Sequence, residues 1–323
     1  MLYRLRLSIG YDFARPTGAG RQLLRISPAD LPGLQEVQQA SITITPKPTE
    51  RSTFTDFFGN EVTQLVLPAG LTQVRFDMAG RVLRLEDETE LDLSATLDGL
   101  RADLNEVTDL GPHSPHHFLR PSPRIPQVGP IADFARKACT AAATMREAVE
   151  CLGLALHDYM RFDARATEVD TPVAAAFAGR HGVCQDFSQI MVSGLRSFGI
   201  PAAYVSGFLR TVPPPGKPRL EGADAMHAWV RAWTGAEAGW CEYDPTNACF
   251  VGADHVTIGY GRDYGDVAPV TGSMRLAGGS RPATASISWP KISIPCRIRH
   301  KRDDSPRKAM PCLWLHNFAA FWQ

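Results

Sequence analysis

The sequence predicts an α+β protein: an N-terminal all-β, sandwich-like domain, then a domain in which a helix packs on an antiparallel sheet. Three observations carry this prediction. Short alternating apolar runs separated by turn residues fill residues 1–110. A stretch with six prolines and little periodicity, 111–130, follows as a linker. Beyond it the apolar spacing turns helical and then strand-like again. The expected divisions are 1–110 (β domain), 111–130 (linker), 131–290 (α+β domain) and 291–323 (an atypical tail).

In the first span, "LYRLRLSIGYDF", "RQLLRIS", "ASITITPKP", "EVTQLVLPAG", "LTQVRFDMAG" and "RVLRLEDE" read as strands. This part holds 11 Lys/Arg against 16 Asp/Glu and no chemical motif, so a structural or docking role is its default. The linker carries His113, His116 and His117 without a cysteine or carboxylate nearby in sequence to complete a ligand set, so it is expected to be solvated. "IADFARKACTAAATMREAVECLGLALHDYMRFD" offers one or two helices. Apolar residues at 183, 187, 190, 191, 195 and 198 then follow helical spacing, and Gly199 with Pro201 supplies the stop. "AAYVSGFLRT", "MHAWVRAW" and "GWCEYDPT" read as strands.

Composition excludes several classes. Hydrophobic residues make up 44% and charged residues 21% of the 323, ordinary for a globular chain. Net charge is zero, so no global field recruits nucleic acid or an anionic membrane. No apolar run approaches a membrane span, and the start alternates like a strand and not like a signal peptide. Seven scattered cysteines point to reduced thiols and a cytoplasmic setting.

One residue is oddly placed. Cys184 follows "RHGV" and stands at the expected helix start. Free cysteines mostly fill cores. A helix N-terminus instead carries partial positive charge and unpaired N–H groups, which stabilise a thiolate and can receive an oxyanion. A nucleophilic cysteine needs a base, and the base an orienting group. Strand period puts His227, Trp229, Arg231 and Trp233 on one face, and Trp240, Glu242 and Asp244 on one face of the next strand. A turn centred between 236 and 237 gives opposed residues an index sum of 473, whereas His227 and Asp244 sum to 471. They are then diagonal neighbours on one face, close enough for an imidazole–carboxylate bond after small adjustment.

The blocks "GVCQDFSQIMVSGLRSFGIPAAYVSGFL", "HAWVRAW" and "GWCEYDPTN" resemble the transglutaminase-like superfamily, in its bacterial cysteine-protease-like branch. "HVTIGYGRDYGDVAPVTGS" resembles that branch's later segment, and "LLRISP" and "FGNEV" its N-terminal β domain. The resemblance spans roughly residues 1–290. It implies a papain-like catalytic fold, a Cys–His–Asp triad on Cys184, His227 and Asp244, and acyl transfer from an amide through a thioester. Hydrolysis of peptide or amide bonds is the main expectation. An amine-accepting transglutaminase and a peptide-binding module with a vestigial triad are the alternatives.

Other candidates carry ordinary readings. Asp186 is expected to cap or support the first helical turn, His181 to lie in a surface loop, and His255 to be ordinary. Cys241 reads as core, and Cys139, Cys151 and Cys249 lack ligand spacing, so no metal is expected. Thiol acyl transfer needs no cofactor. Trp229, Trp233 and Trp240 could line a cleft or simply pack the sheet, and "GRDYGDV" could border the cleft. The tail, with seven Lys/Arg against two Asp/Glu, departs from the family pattern, and poor order is expected over 297–310.

Overall fold

Alternation decides the first strand: Tyr3, Leu5, Leu7 and Ile9 turn inward while the residues between them face out, which makes β1 (Leu2–Asp12) half-buried. The computed structural model describes residues 1–85, 91–210, 226–276 and 286–288. After β1 come β2 (Thr17–Leu24), β3 (Gln35–Thr45), β4 (Glu50–Thr55), β5 (Glu61–Leu67) and β6 (Gln73–Arg84). "LTQVRFDMAG" and "RVLRLEDE" form the single strand β6, because Gly80 does not turn the chain. A Cβ there would lie 3.1 Å from the Gln39 carbonyl, where β3 bulges between Val37 and Gln39. β4 is exposed along its whole length and has no apolar alternation to betray it.

These strands make two sheets whose inner faces share one core, including Leu5, Leu7, Leu24, Leu65, Leu67, Phe76 and Met78. Each such side chain contributes roughly 1.5–3 kcal/mol by leaving water.

The span 1–110 is not all β. α1 (Leu97–Glu106) forms because Thr96 Oγ1 caps the Gly99 N–H at 3.2 Å and Leu100 buries into the second core. The stretch expected to be a solvated linker is packed down. Residues 115–118 make a short 3₁₀ turn, Ser122 and Ile125 pair, and Phe118 and Ile125 are buried. Rings of His116 and His117 bond the Val107 and Leu110 carbonyls.

The helical part comprises α2 (Gly129–Ala138), α3 (Met145–Tyr159), a two-residue strand β7 (Arg161–Phe162), α4 (Val173–Gly179), β8 (His181–Gly182) and α5 (Cys184–Ser197). Gly199, at φ +87°, ends α5 as expected. β9 (Ala202–Leu209), β10 (Met226–Trp233), β11 (Trp240–Asp244), β12 (Cys249–Phe250) and β13 (His255–Gly261) form a five-stranded antiparallel sheet in the order β12-β11-β10-β9-β13. Phe187, Ile190, Met191 and Leu195 of α5 share a core with Ala202, Val230 and Ala232 of that sheet. The mixed architecture is that of an N-terminal antiparallel β region joined to a unit in which helices pack on an antiparallel sheet.

After α6 (Tyr264–Val267) the chain returns to the N-terminal sheets. β14 (Val270–Leu276) pairs with β2, and β15 (Ser286–Ser288) with β1. Strands inside the span 131–290 therefore complete the β region, which edge pairing favours over leaving β1 and β2 open.

The five-stranded sheet's outer strand, β13, is met by side chains of that region. Gln35 donates to the Thr257 carbonyl (2.8 Å) and accepts from its N–H (2.9 Å). Asn60 does the same to Tyr260, at 2.8 Å both ways. A bulge between Thr257 and Gly259 turns both peptide edges outward. Gly259 is needed: a Cβ would lie 2.3 Å from Asn60 Oδ1. The tail 291–323, and with it the expectation of poor order over 297–310, lies outside the described residues. Among the described residues no helix is long and apolar enough to cross a membrane.

Candidate active site

Cys184 is the first residue of α5, half-buried, with Val183 as N-cap. Valine offers no oxygen to cap the first turn, so a carboxylate further on reaches back. Asp186 Oδ2 accepts from the Val183 N–H at 2.8 Å and from Thr167 Oγ1 at 2.6 Å. Burial pushes the Asp186 carboxyl up, against the pull of these bonds. Gly182 admits this carboxylate, since a Cβ there would lie 2.5 Å from Asp186 Oδ2. The expectation that Asp186 supports the helix start agrees with this geometry. The first N–H groups of α5 have no partner within the helix. Tyr204, Ala228 and Val267 pack around Cys184, and burial, then the nearby Cys184, holds the Tyr204 hydroxyl protonated.

His227 is the second residue of β10, opposite Gly207 of β9. Glycine is required there because a Cβ would lie 2.2 Å from the Trp229 ring. The hairpin from β10 to β11 has the register expected: Trp233 pairs with Trp240 and Arg231 with Glu242, an index sum of 473. His227 and Asp244 are thus diagonal, and the histidine reaches across, with Nε2 2.7 Å from Asp244 Oδ2. Cys184 acts on the same ring and favours its charged form. With Nε2 engaged, Nδ1 is the nitrogen left for sulfur.

Asp244 is fully buried and fully satisfied. Oδ1 accepts from the Thr246 N–H (2.9 Å) and the Asn247 N–H (3.2 Å). Oδ2 accepts from His227, from Asn247 Nδ2 (2.7 Å) and from His255 Nε2 (3.2 Å). Burial would raise this carboxyl, but the His227 charge and the bonds from His227 and His255 hold it well below the usual carboxylate range. Burial likewise opposes charge on His227, yet Asp244 and Cys184 outweigh it and lift the imidazole to about 10.

Among the described residues, His227, Asp244 and His255 are the group of three donors close enough to share a cation, within 4.8 Å of one another. Their mutual arrangement is that of hydrogen bonds. Both imidazoles face one carboxylate oxygen, at 2.7 and 3.2 Å.

Two family models match the chain. One, for the transglutaminase-like superfamily, covers residues 132–245, and the other, for a bacterial transglutaminase-like N-terminal region, covers 3–83. An uncharacterized protein of Mycobacterium tuberculosis is 35% identical over 250 residues, 72% of this chain and 74% of its own. The chain belongs to the transglutaminase-like superfamily. An uncharacterized protein of Mycobacterium leprae is 46% identical over 94 residues, 28% of this chain and 31% of its own. A solved structure, "Putative Cysteine Protease from Cytophaga hutchinsonii", matches with TM-score 0.65 at 18% identity, over 91% of this chain and 98% of that one, and so shares the fold. Membership of this superfamily supports thiol-dependent catalysis in general terms.

Within this transglutaminase-like chain the remaining candidates lie as follows. Trp229 and Trp233 are buried in the sheet packing, and Trp229 donates to Glu242 at 2.7 Å. Trp240 packs on Phe118 and under Arg231. His181 bonds the Gly179 carbonyl. Burial pushes the thiols of Cys139 and Cys241 to about 12. In "GRDYGDV", Arg262 pairs with Asp266 and buried Asp263 caps α6, while Tyr264 and Val267 share a packing cluster with Cys184, as the expectation of a cleft border allowed. His255, expected to be ordinary, is instead the third side-chain donor to Asp244. Asn247 was also overlooked, although "DPTN" offered a signal, since an aspartate followed three residues on by a turn residue folds back on itself.

Proposed function

We propose that this protein hydrolyses peptide or amide bonds by thiol acyl transfer, with Cys184 as nucleophile, His227 as proton carrier and Asp244 as orienter. The observation supporting this most is the ring of His227, bonded at 2.7 Å to a wholly buried carboxylate and held charged by that carboxylate and by Cys184.

In this reading the sulfur, as thiolate, attacks the substrate carbonyl carbon, and the carbonyl electrons move onto oxygen. The N–H groups at the start of α5 receive that oxyanion. As the tetrahedral species collapses, the C–N bond breaks and the His227 imidazolium gives its proton to the departing amine. A thioester remains. Neutral His227 then takes a proton from water, whose oxygen attacks the thioester, and the C–S bond breaks to restore the thiolate. Asp244 accepts from Nε2 throughout, fixing the tautomer in which Nδ1 faces sulfur.

The test is a peptide library offered to the protein, with mass spectrometry of Cys184-containing peptides after acid quench. An acyl adduct on Cys184, absent from Cys184→Ala, is expected. Labelling elsewhere, or none across chemically diverse peptides, would count against the reading. Adding an amine donor to a glutamine-containing peptide separates hydrolysis from transfer: conjugate in excess of acid product would replace the hydrolase by a transglutaminase.

A further inference from the structure

We infer that His255 is a positioning residue of this site: it donates to Asp244 and keeps that carboxylate aimed at His227. The inference rests on the triad reading above. His255 opens β13, on the far side of the sheet order from β11, and lies beyond the residue 245 at which the superfamily model ends. Its ring is buried and meets the Trp229 ring edge-on at 5.2 Å between centroids, so its plane is set by packing.

The tautomer is set as well. The Gly252 N–H, which can only donate, points at Nδ1 from 3.4 Å, while the Gly252 carbonyl accepts from the His255 N–H at 3.1 Å. Nδ1 must therefore offer its lone pair, and the ring proton sits on Nε2. That Nε2–H meets Asp244 Oδ2 at 3.2 Å. The same oxygen serves His227, so His255 and His227 hold it from two strands.

A carboxylate placed at the last residue of β11 could swing about its side-chain torsions if only the turn residues 246 and 247 held it. A donor from a different strand, fixed by its own backbone clamp, removes that freedom. The consequence falls on His227: with Asp244 fixed, the imidazolium is stabilised in one orientation, facing Cys184.

The test uses the full chain, iodoacetamide as probe and long-range ¹⁵N NMR of labelled histidines. In the wild type, His255 should show a neutral pattern with the proton on Nε2, and Cys184 should be alkylated at pH 6 far faster than the other cysteines. His255→Leu should slow Cys184 alkylation about tenfold, the share of one bond to a charged acceptor, and shift the His227 ring signals. His255→Gln, which restores a donor, should recover much of the rate. A proton on Nδ1 of His255, or a folded His255→Leu protein with unchanged Cys184 rate and unchanged His227 signals, would overturn the inference. The tautomer measurement decides the matter even if the leucine variant does not fold. Slow, unselective labelling of Cys184 in the wild type would instead overturn the triad reading itself.

Discussion

Replacing Asp244 by Asn tests the site most sharply, because the surroundings leave the amide no good orientation. Aspartate accepts five hydrogen bonds here, two on Oδ1 and three on Oδ2. If the new NH₂ takes the Oδ2 place, it confronts three donors, and His227 must turn its proton toward sulfur. If it takes the Oδ1 place, it confronts the backbone N–H groups of 246 and 247. Exchanging a charged for a neutral partner at His227 removes about 1–1.5 kcal/mol, and a buried donor left facing donors costs about 1–3 more. The total, about 2–4 kcal/mol, corresponds to about 30- to 1,000-fold at about 1.4 kcal/mol per tenfold. The assay is site-resolved iodoacetamide labelling of Cys184 near pH 6, with turnover measured once a substrate is in hand. Equal labelling in Asp244→Asn and wild type, both folded, would mean that Asp244 only closes the strand end and another group orients His227.

Cys184→Ala should leave unfolding unchanged within about 0.5–1 kcal/mol, the thiol being half-buried, while acyl trapping falls to background; denaturant titration and mass spectrometry check the two halves. The His227 imidazole is raised from 6.5 to about 10 in the folded protein, so its stabilising contribution is complete below about 6.5 and disappears as pH rises through about 10. Asp244, lowered from 3.8, behaves in the opposite sense: its contribution is complete above 3.8 and is lost as pH falls through its folded value. These are two ends of one interaction. The unfolding-temperature gap between wild type and His227→Gln should therefore be widest between about pH 4 and 6.5, shrink as pH rises beyond that and be smallest above pH 10; a gap that widened there would refute the pairing. Asn60→Ala leaves the buried N–H and carbonyl of Tyr260 without their partner and should cost about 2–4 kcal/mol in urea unfolding. Gly259→Ala should cost a comparable amount, and the two losses should not add in the double variant.

The parts of this structure legible in sequence were those governed by local rules. Cys184 at a helix start follows from apolar spacing and the Gly199 stop, and the His227–Asp244 pair follows from the length of one hairpin. Whatever depended on distant partners stayed hidden. β4 has no buried face, and β14 and β15 declare no allegiance to sheets begun more than two hundred residues earlier. α1 owes its existence to a cap at Thr96 and one buried leucine inside an otherwise strand-rich span. His255 reaches Asp244 only because β13 lies beside β9, a neighbour that no sequence interval specifies.

The seam at β13 bears on how such a chain can change. Asn60 fits only because position 259 has no side chain, and an emptied position 259 is useful only while Asn60 fills it. Gln35 and the Thr257 peptide are matched in the same way. Either side altered alone leaves a bare strand edge, the template on which a second molecule adds its own strand. The strand-rich half is therefore no interchangeable attachment. Grafting it from a distant relative, or cutting it away, should yield chains that associate through that edge, and the two halves can diverge only in step.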